Sequence, residues 1–181
     1  KHFLICTITT AKRVRKLIGT QRSNIHVPGQ CIVTDSAFLP RSTHGYTKAL
    51  IIVDSCTGYV IVYPSQNLLA STVCRHFLMY LCSHPPPETV KADFGGEFQK
   101  DLEGFFASYG IQLDASMPYA KGSTSAAESA ISVVKRALRQ LCLAYTATWP
   151  ELLPTMLQAI NSQGLYGTST SRAQLYFSPY S

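Results

Sequence analysis

The sequence predicts an α/β domain, a mixed five-stranded sheet flanked by helices. Three observations carry this expectation. Two apolar strand patterns, KALIIVD and GYVIVYP, adjoin across the short polar stretch SCT, as in a hairpin. Strand-like and helix-like segments then alternate as far as IQLDA. Beyond them, apolar residues step by 4, 3, 4, 3 and 4 from Ala127 to Tyr145, which marks one face of a long helix.

Taken in order, residues 1–30 read as a basic arm or linker, and 31–181 as the folded unit. The arm holds the charge cluster KRVRK and the turn-forming Asn, Pro and Gly of SNIHVPGQ. CIVTDSAFL is a strand of β-branched and apolar residues interrupted by one carboxylate, and RSTHG is a loop. After the hairpin, Leu69, Val73, Phe77, Tyr80 and Leu81 recur at helical spacing, and Pro85–Pro87 end that helix because proline cannot continue it. ETVKAD is a short strand stopped by FGGEF, where two glycines permit a tight turn. A helix is expected from Leu102 to Tyr109 and a strand at IQLDA. The long helix follows the polar loop PYAKGSTS, with Ser123 or Thr124 as its cap. Further helices are expected from Trp149 to about Asn161 and over Arg172–Phe177. Three adjoining strands followed by strand–helix alternation fit a ribonuclease-H-like layout, although element order alone admits other α/β folds.

Composition limits the function classes. Hydrophobic residues make up 46% of the chain and charged residues 14%, enough apolar surface for a core. No apolar run approaches the roughly 18 residues of a membrane span, so no membrane partner is expected. Without an initiator Met the chain reads as a piece of a longer precursor. The six cysteines (Cys6, Cys31, Cys56, Cys74, Cys82 and Cys142) include no CxxC pair, so most read as buried small hydrophobes in a reducing setting. The net charge of +6 is unevenly spread: residues 1–30 carry six Lys or Arg and no acid, 31–120 eight acids against five bases, and 121–145 four bases against one acid. Basic ends suit a polyanion, whose phosphates release counterions when Lys and Arg bind them. An ordinary basic surface explains the same numbers.

Three of the ten acids sit where a soluble fold does not ordinarily want them. Asp35 interrupts an apolar strand expected in mid-sheet, and a buried carboxylate is costly unless something positive pairs with it. Asp93 ends the strand expected beside it, and ligand sites in open α/β sheets gather at the carboxyl ends of strands. Glu128 stands near the start of the long helix, opposite its apolar stripe, with Ser132, Lys135 and Arg139 following on the same face. If the three acids converge, their repulsion calls for divalent cations. Carboxylate oxygen is a hard ligand, so magnesium fits, with manganese as a substitute, and zinc does not. The residues alone leave open that Asp35 and Asp93 are plain strand-end acids.

With those residues in place, about 31–178 resembles the catalytic core of retroviral and gypsy-type LTR retrotransposon integrases. CIVTD resembles the first catalytic strand, ALIIVDSCTGYVIVYP the hairpin after it, and TVKADFGGEF the second aspartate with its glycine and aromatic. MPYAKGSTSAAES resembles the loop leading to the catalytic glutamate, and GTSTSRAQLYFSP the closing segment. The resemblance implies that Asp35, Asp93 and Glu128 form a metal-binding catalytic triad. It also implies that Tyr119 and Lys121 in the loop, and Lys135, Arg136 and Arg139 on the helix, meet DNA.

Departures from the family pattern are few. Asp93 and Glu128 are separated by 34 residues, one fewer than the commonest spacing. Lys121, Gly122 and Ser125 replace usual loop residues. Asp54 matches a noncatalytic acid and reads as structural; Glu97 reads as a helix N-terminal acid. The arm resembles the end of an N-terminal zinc module, but with Cys6 alone, Thr9 in place of a second cysteine and only His2 nearby, no zinc is expected. The family's C-terminal DNA-binding domain is not in this sequence.

The activity implied is metal-dependent 3′-end processing and strand transfer of element DNA into target DNA. Asp35 would bridge two ions, with Asp93 and Glu128 each holding one. The implied partners are double-stranded DNA, as element ends and target, and further copies of the chain in a dimer or larger assembly. The implied setting is nuclear, and cytoplasmic before entry. Two rivals remain at this point: a nuclease of the same fold that joins nothing, and a domesticated, catalytically silent module that binds DNA or protein.

Overall fold

Five strands form one sheet in the order β3-β2-β1-β4-β5. The computed structural model describes residues 27–92, 99–115, 125–164 and 169–178. The elements are β1 (Cys31–Phe38), β2 (Lys48–Asp54), β3 (Val60–Ser65), α1 (Ala70–Leu81), β4 (Thr89–Ala92), α2 (Gln99–Ser108), β5 (Gln112–Asp114), α3 (Ser125–Ala144), α4 (Trp149–Asn161) and α5 (Arg172–Phe177). The arm over 1–26, the FGGEF turn with Glu97, most of the polar loop and the candidate caps Ser123 and Thr124 lie outside the described residues.

The sheet is mixed because of its connections. The β1–β2 and β2–β3 pairs are antiparallel, while β4 and β5 join by helical crossovers and run parallel to their neighbours. Beyond Lys48, β2 is buried at every position, which explains its unbroken apolar run. Successive β1 side chains go to opposite faces. Ile32 packs with Leu50, Ile52, Val90, α1 and α2. Val33 and Ala37 pack on the opposite face with Ile51, Val53, α3 and α4. Each fully buried Ile, Leu or Phe in these layers contributes about 1.5–3 kcal/mol relative to exposure.

The helices follow the predicted stripes, except that Leu69, at the cap of α1, is 49% exposed and Leu81 is only half-buried. On α3, Ala127, Ile131, Val134, Leu138 and Leu141 are buried, and on α1 so are Val73, Phe77 and Tyr80. The stripe ends sooner than its spacing suggested. Tyr145 lies past the last turn of α3 and is 39% exposed, because the helix stops at Ala144 and no layer covers the next position. Similarly α2 runs Gln99–Ser108, and Tyr109 beyond it is exposed. Asn67 accepts from Leu69 N and Thr72 Oγ1 ahead of α1, supplying an acceptor that the Leu69 cap lacks.

Candidate active site

Alternation along β1 puts Asp35 on the face of the sheet that carries α3, between the packed residues Val33 and Ala37. Directly across β2 it is in register with Ile51, which is fully buried. One carboxylate oxygen, Oδ1, accepts the Ser36 backbone N–H at 2.6 Å. The other, Oδ2, lies 2.6 Å from Lys135 Nζ. Both side chains of this ion pair are mostly shielded from water, with exposures of 19% for Asp35 and 28% for Lys135. A carboxylate in this place needs a positive partner, and α3 supplies it.

Parallel pairing brings β4 to the other side of β1, with Ala92 in register with Thr34, the residue before Asp35. Thr34 Oγ1 reinforces the pair by donating to the Lys91 carbonyl. Asp93 follows Ala92 in the chain and itself lies outside the described residues, as do Tyr119 and Lys121. Glu128 is in the first turn of α3 and exposed. Lys135 is seven positions further on, two turns and roughly 10 Å along the same helical face. Arg136 and Arg139 are exposed on α3. Thus the structure joins Asp35 to Lys135, a residue expected at DNA phosphates rather than at a carboxylate. No group of three or more His, Cys, Asp or Glu placed to hold a metal occurs among the described residues, which exclude Asp93.

Asp54 has a different environment. It is 3% exposed at the end of β2 and accepts from Gly29 N at 2.8 Å, Thr57 N at 2.7 Å and Thr57 Oγ1 at 2.6 Å. Burial raises its pKa above the usual carboxylate value, and the hydrogen bonds from Thr57, Gly29 and Cys56 pull the other way. One oxygen is engaged by its own turn and the other by Gly29 ahead of β1, in keeping with a structural role. Beside it, Tyr176 of α5 stacks on Tyr59 at 4.6 Å between centroids and shares a 3.1 Å hydroxyl contact with Tyr80. Burial raises the pKa of both hydroxyls.

Sequence reasoning missed Asn161. Its side chain accepts from Val60 N at 2.9 Å and donates to Val60 O at 2.8 Å, so α4 satisfies both backbone groups at the start of edge strand β3. An Asn closing a helix whose stripe of Trp149, Leu153, Met156 and Ile160 is buried was the available signal.

A five-stranded mixed sheet, with an acid presented to one helix from its central strand, defines an α/β domain of ribonuclease-H-like architecture. The chain belongs to the integrase core domain family, whose model matches residues 26–121. It is 34% identical over 140 residues to the Pro-Pol polyprotein of Simian foamy virus type 3 (strain LK3), covering 77% of this chain and 12% of that polyprotein. It is 27% identical over 132 residues to gypsy retrotransposon integrase-like protein 1 of Rattus norvegicus, covering 72% of this chain and 25% of that protein. The chain therefore spans a small part of the length of either relative. The HTLV-2 integrase catalytic core domain, solved in complex with magnesium in a dimeric form, shares the fold. Its TM-score is 0.64 at 17% identity over 86% of this chain and 100% of that one.

Proposed function

We propose that this chain is the catalytic core of a DNA integrase, which trims the 3′ end of an element's DNA and joins that end to target DNA. The observation that carries this reading is Asp35, a carboxylate presented to α3 from the central strand and already neutralised by a cation. Membership of the integrase core domain family and the magnesium complex of the HTLV-2 core support it.

The residues fit a hard divalent ion. Asp35 offers carboxylate oxygen in a partly shielded place that stabilises positive charge, since Lys135 occupies it. In this reading Asp35, Asp93 and Glu128 would hold magnesium, or manganese in its place. The chemistry such ions would supply there is activation of an attacking oxygen and stabilisation of the departing one in a displacement at phosphorus. The chain's own part is to position. Asp35 is fixed by its strand and by Ser36 N–H, while Arg136 and Arg139 on α3 offer cations to DNA phosphates, giving affinity without sequence choice. Tyr119 is assigned to DNA near the reacting phosphate, and Lys121 to DNA. In the first step water attacks the phosphodiester near the 3′ end; the terminal piece leaves and a 3′-hydroxyl remains. In the second step that hydroxyl attacks a phosphodiester of target DNA, whose own 3′-oxygen departs. Joining two ends to one target calls for at least a dimer acting on double-stranded DNA in the nucleus.

Strand transfer from a preprocessed DNA end in manganese buffer tests this reading. Joined products, abolished in Asp35→Asn, support it. Cleavage without joining assigns a nuclease of the same fold, and neither reaction assigns a silent binding module.

A further inference from the structure

The 2.6 Å contact between Lys135 Nζ and Asp35 Oδ2 has a consequence beyond stability. Lys135 belongs to the solvent-facing side of α3, the side of Glu128, Ser132 and Arg139, and not to the stripe packed on the sheet. Its four-carbon stem is flexible and its ammonium is a compact point charge with three donors. It has nevertheless folded back onto the sheet, where Asp35 is four-fifths covered. The second oxygen of Asp35 is turned to the Ser36 backbone, so Oδ2 is the oxygen facing α3.

We propose that Lys135 is the resident cation of Asp35, and that a divalent ion binding there expels it and frees its ammonium for a DNA phosphate. This rests on the reading of Asp35 as a metal ligand. Two cations cannot share one carboxylate oxygen in a partly shielded place without strong repulsion. The long side chain of Lys135 is the partner free to move, since Asp35 is held by its strand. Lys135 thus neutralises Asp35 in the absence of metal and becomes available to DNA as metal loads. By linkage the relation is reciprocal: DNA that captures Lys135 tightens metal binding by the same factor that metal tightens DNA. The interaction couples assembly of the metal site to engagement of the substrate through a single side chain.

Manganese titration at fixed pH and ionic strength, with free ion read by electron paramagnetic resonance, tests this on the full chain. The proteins are the wild type, Lys135→Met, Lys135→Gln and Asp35→Asn, each checked for native circular dichroism. Removal of the competing ammonium is expected to tighten manganese binding about tenfold in both Lys135 variants. Asp35→Asn is expected to bind weakly. Equal or weaker binding in the Lys135 variants, with normal binding by the wild type, overturns the displacement and leaves the metal reading intact. Uptake by neither the wild type nor the Lys135 variants overturns both.

Discussion

The carboxylate of Asp54 accepts the backbone N–H of Gly29 at 2.8 Å, so the β2–β3 turn grips the chain just before β1. The other oxygen takes the amide and hydroxyl of Thr57. Gly29 is suited to its side of the contact by φ of +81°, a conformation other residues adopt with strain. Asp54→Ala would strand these buried donors together, and a stability loss of about 3 kcal/mol is expected. Urea unfolding at neutral pH measures it; a change under about 1 kcal/mol would remove Asp54 from this role.

Asp35→Asn should give the opposite profile. The side chain keeps its shape and an oxygen for Ser36 N–H, but it gives up a mostly shielded ion pair with Lys135, whose flexible stem lets the ammonium turn to water once the charge is gone. Stability is expected to fall by about 1–2 kcal/mol, less than for Asp54→Ala. Cleavage and joining of DNA are expected to fall about a thousandfold, the scale of removing a main electrostatic stabiliser. Activity within tenfold of the wild type would count against Asp35 as a metal ligand.

These two acids show how far the sequence could be read. Strand and helix patterns located β1, the hairpin, α3, α4 and α5, because periodic burial repeats over many residues and one misfit does not hide it. Asp35 stood out as a charge in an apolar strand for the same reason. Its partner did not, since a lysine seven residues past Glu128 fits either a phosphate or a carboxylate, and only the packing of α3 on β1 decides which it meets. The grip of Asp54 on Gly29 spans 25 residues and that of Asn161 on Val60 spans 101, and local patterns carry no information over such separations. Helix ends were the weakest part: Tyr145 continued the stripe by spacing but fell outside the layer that buries it.

Arg136 and Arg139 are exposed on α3, where neither is buried against the sheet. Substituting either by Ala should leave stability unchanged and weaken binding to duplexes of any sequence several-fold. The slope of log affinity against log salt should shrink by about 0.9 for each phosphate that is no longer neutralised. Fluorescence anisotropy over a salt series reads this directly. A slope equal to that of the wild type would place DNA elsewhere on the surface.

His76 should make stability sensitive to mild acid. Its ring is buried on α1, stacked on Tyr63 at 5.2 Å between centroids, with Nε2 3.4 Å from Ser65 Oγ and no partner for Nδ1 among the described residues. Burial, and secondarily the charge of neighbouring Arg75, lowers its pKa from the ordinary 6.5. The unfolded chain therefore takes up the proton first as pH falls, so stability is full above about 6.5 and declines below it until the folded ring also protonates. His84, likewise lowered by burial, adds to the same trend. His76→Phe preserves the stack on Tyr63 and removes the titration, so its unfolding free energy should fall less than that of the wild type between pH 7.5 and 5.5. Parallel decline of the two proteins over that interval would assign the acid sensitivity to His84 or another group.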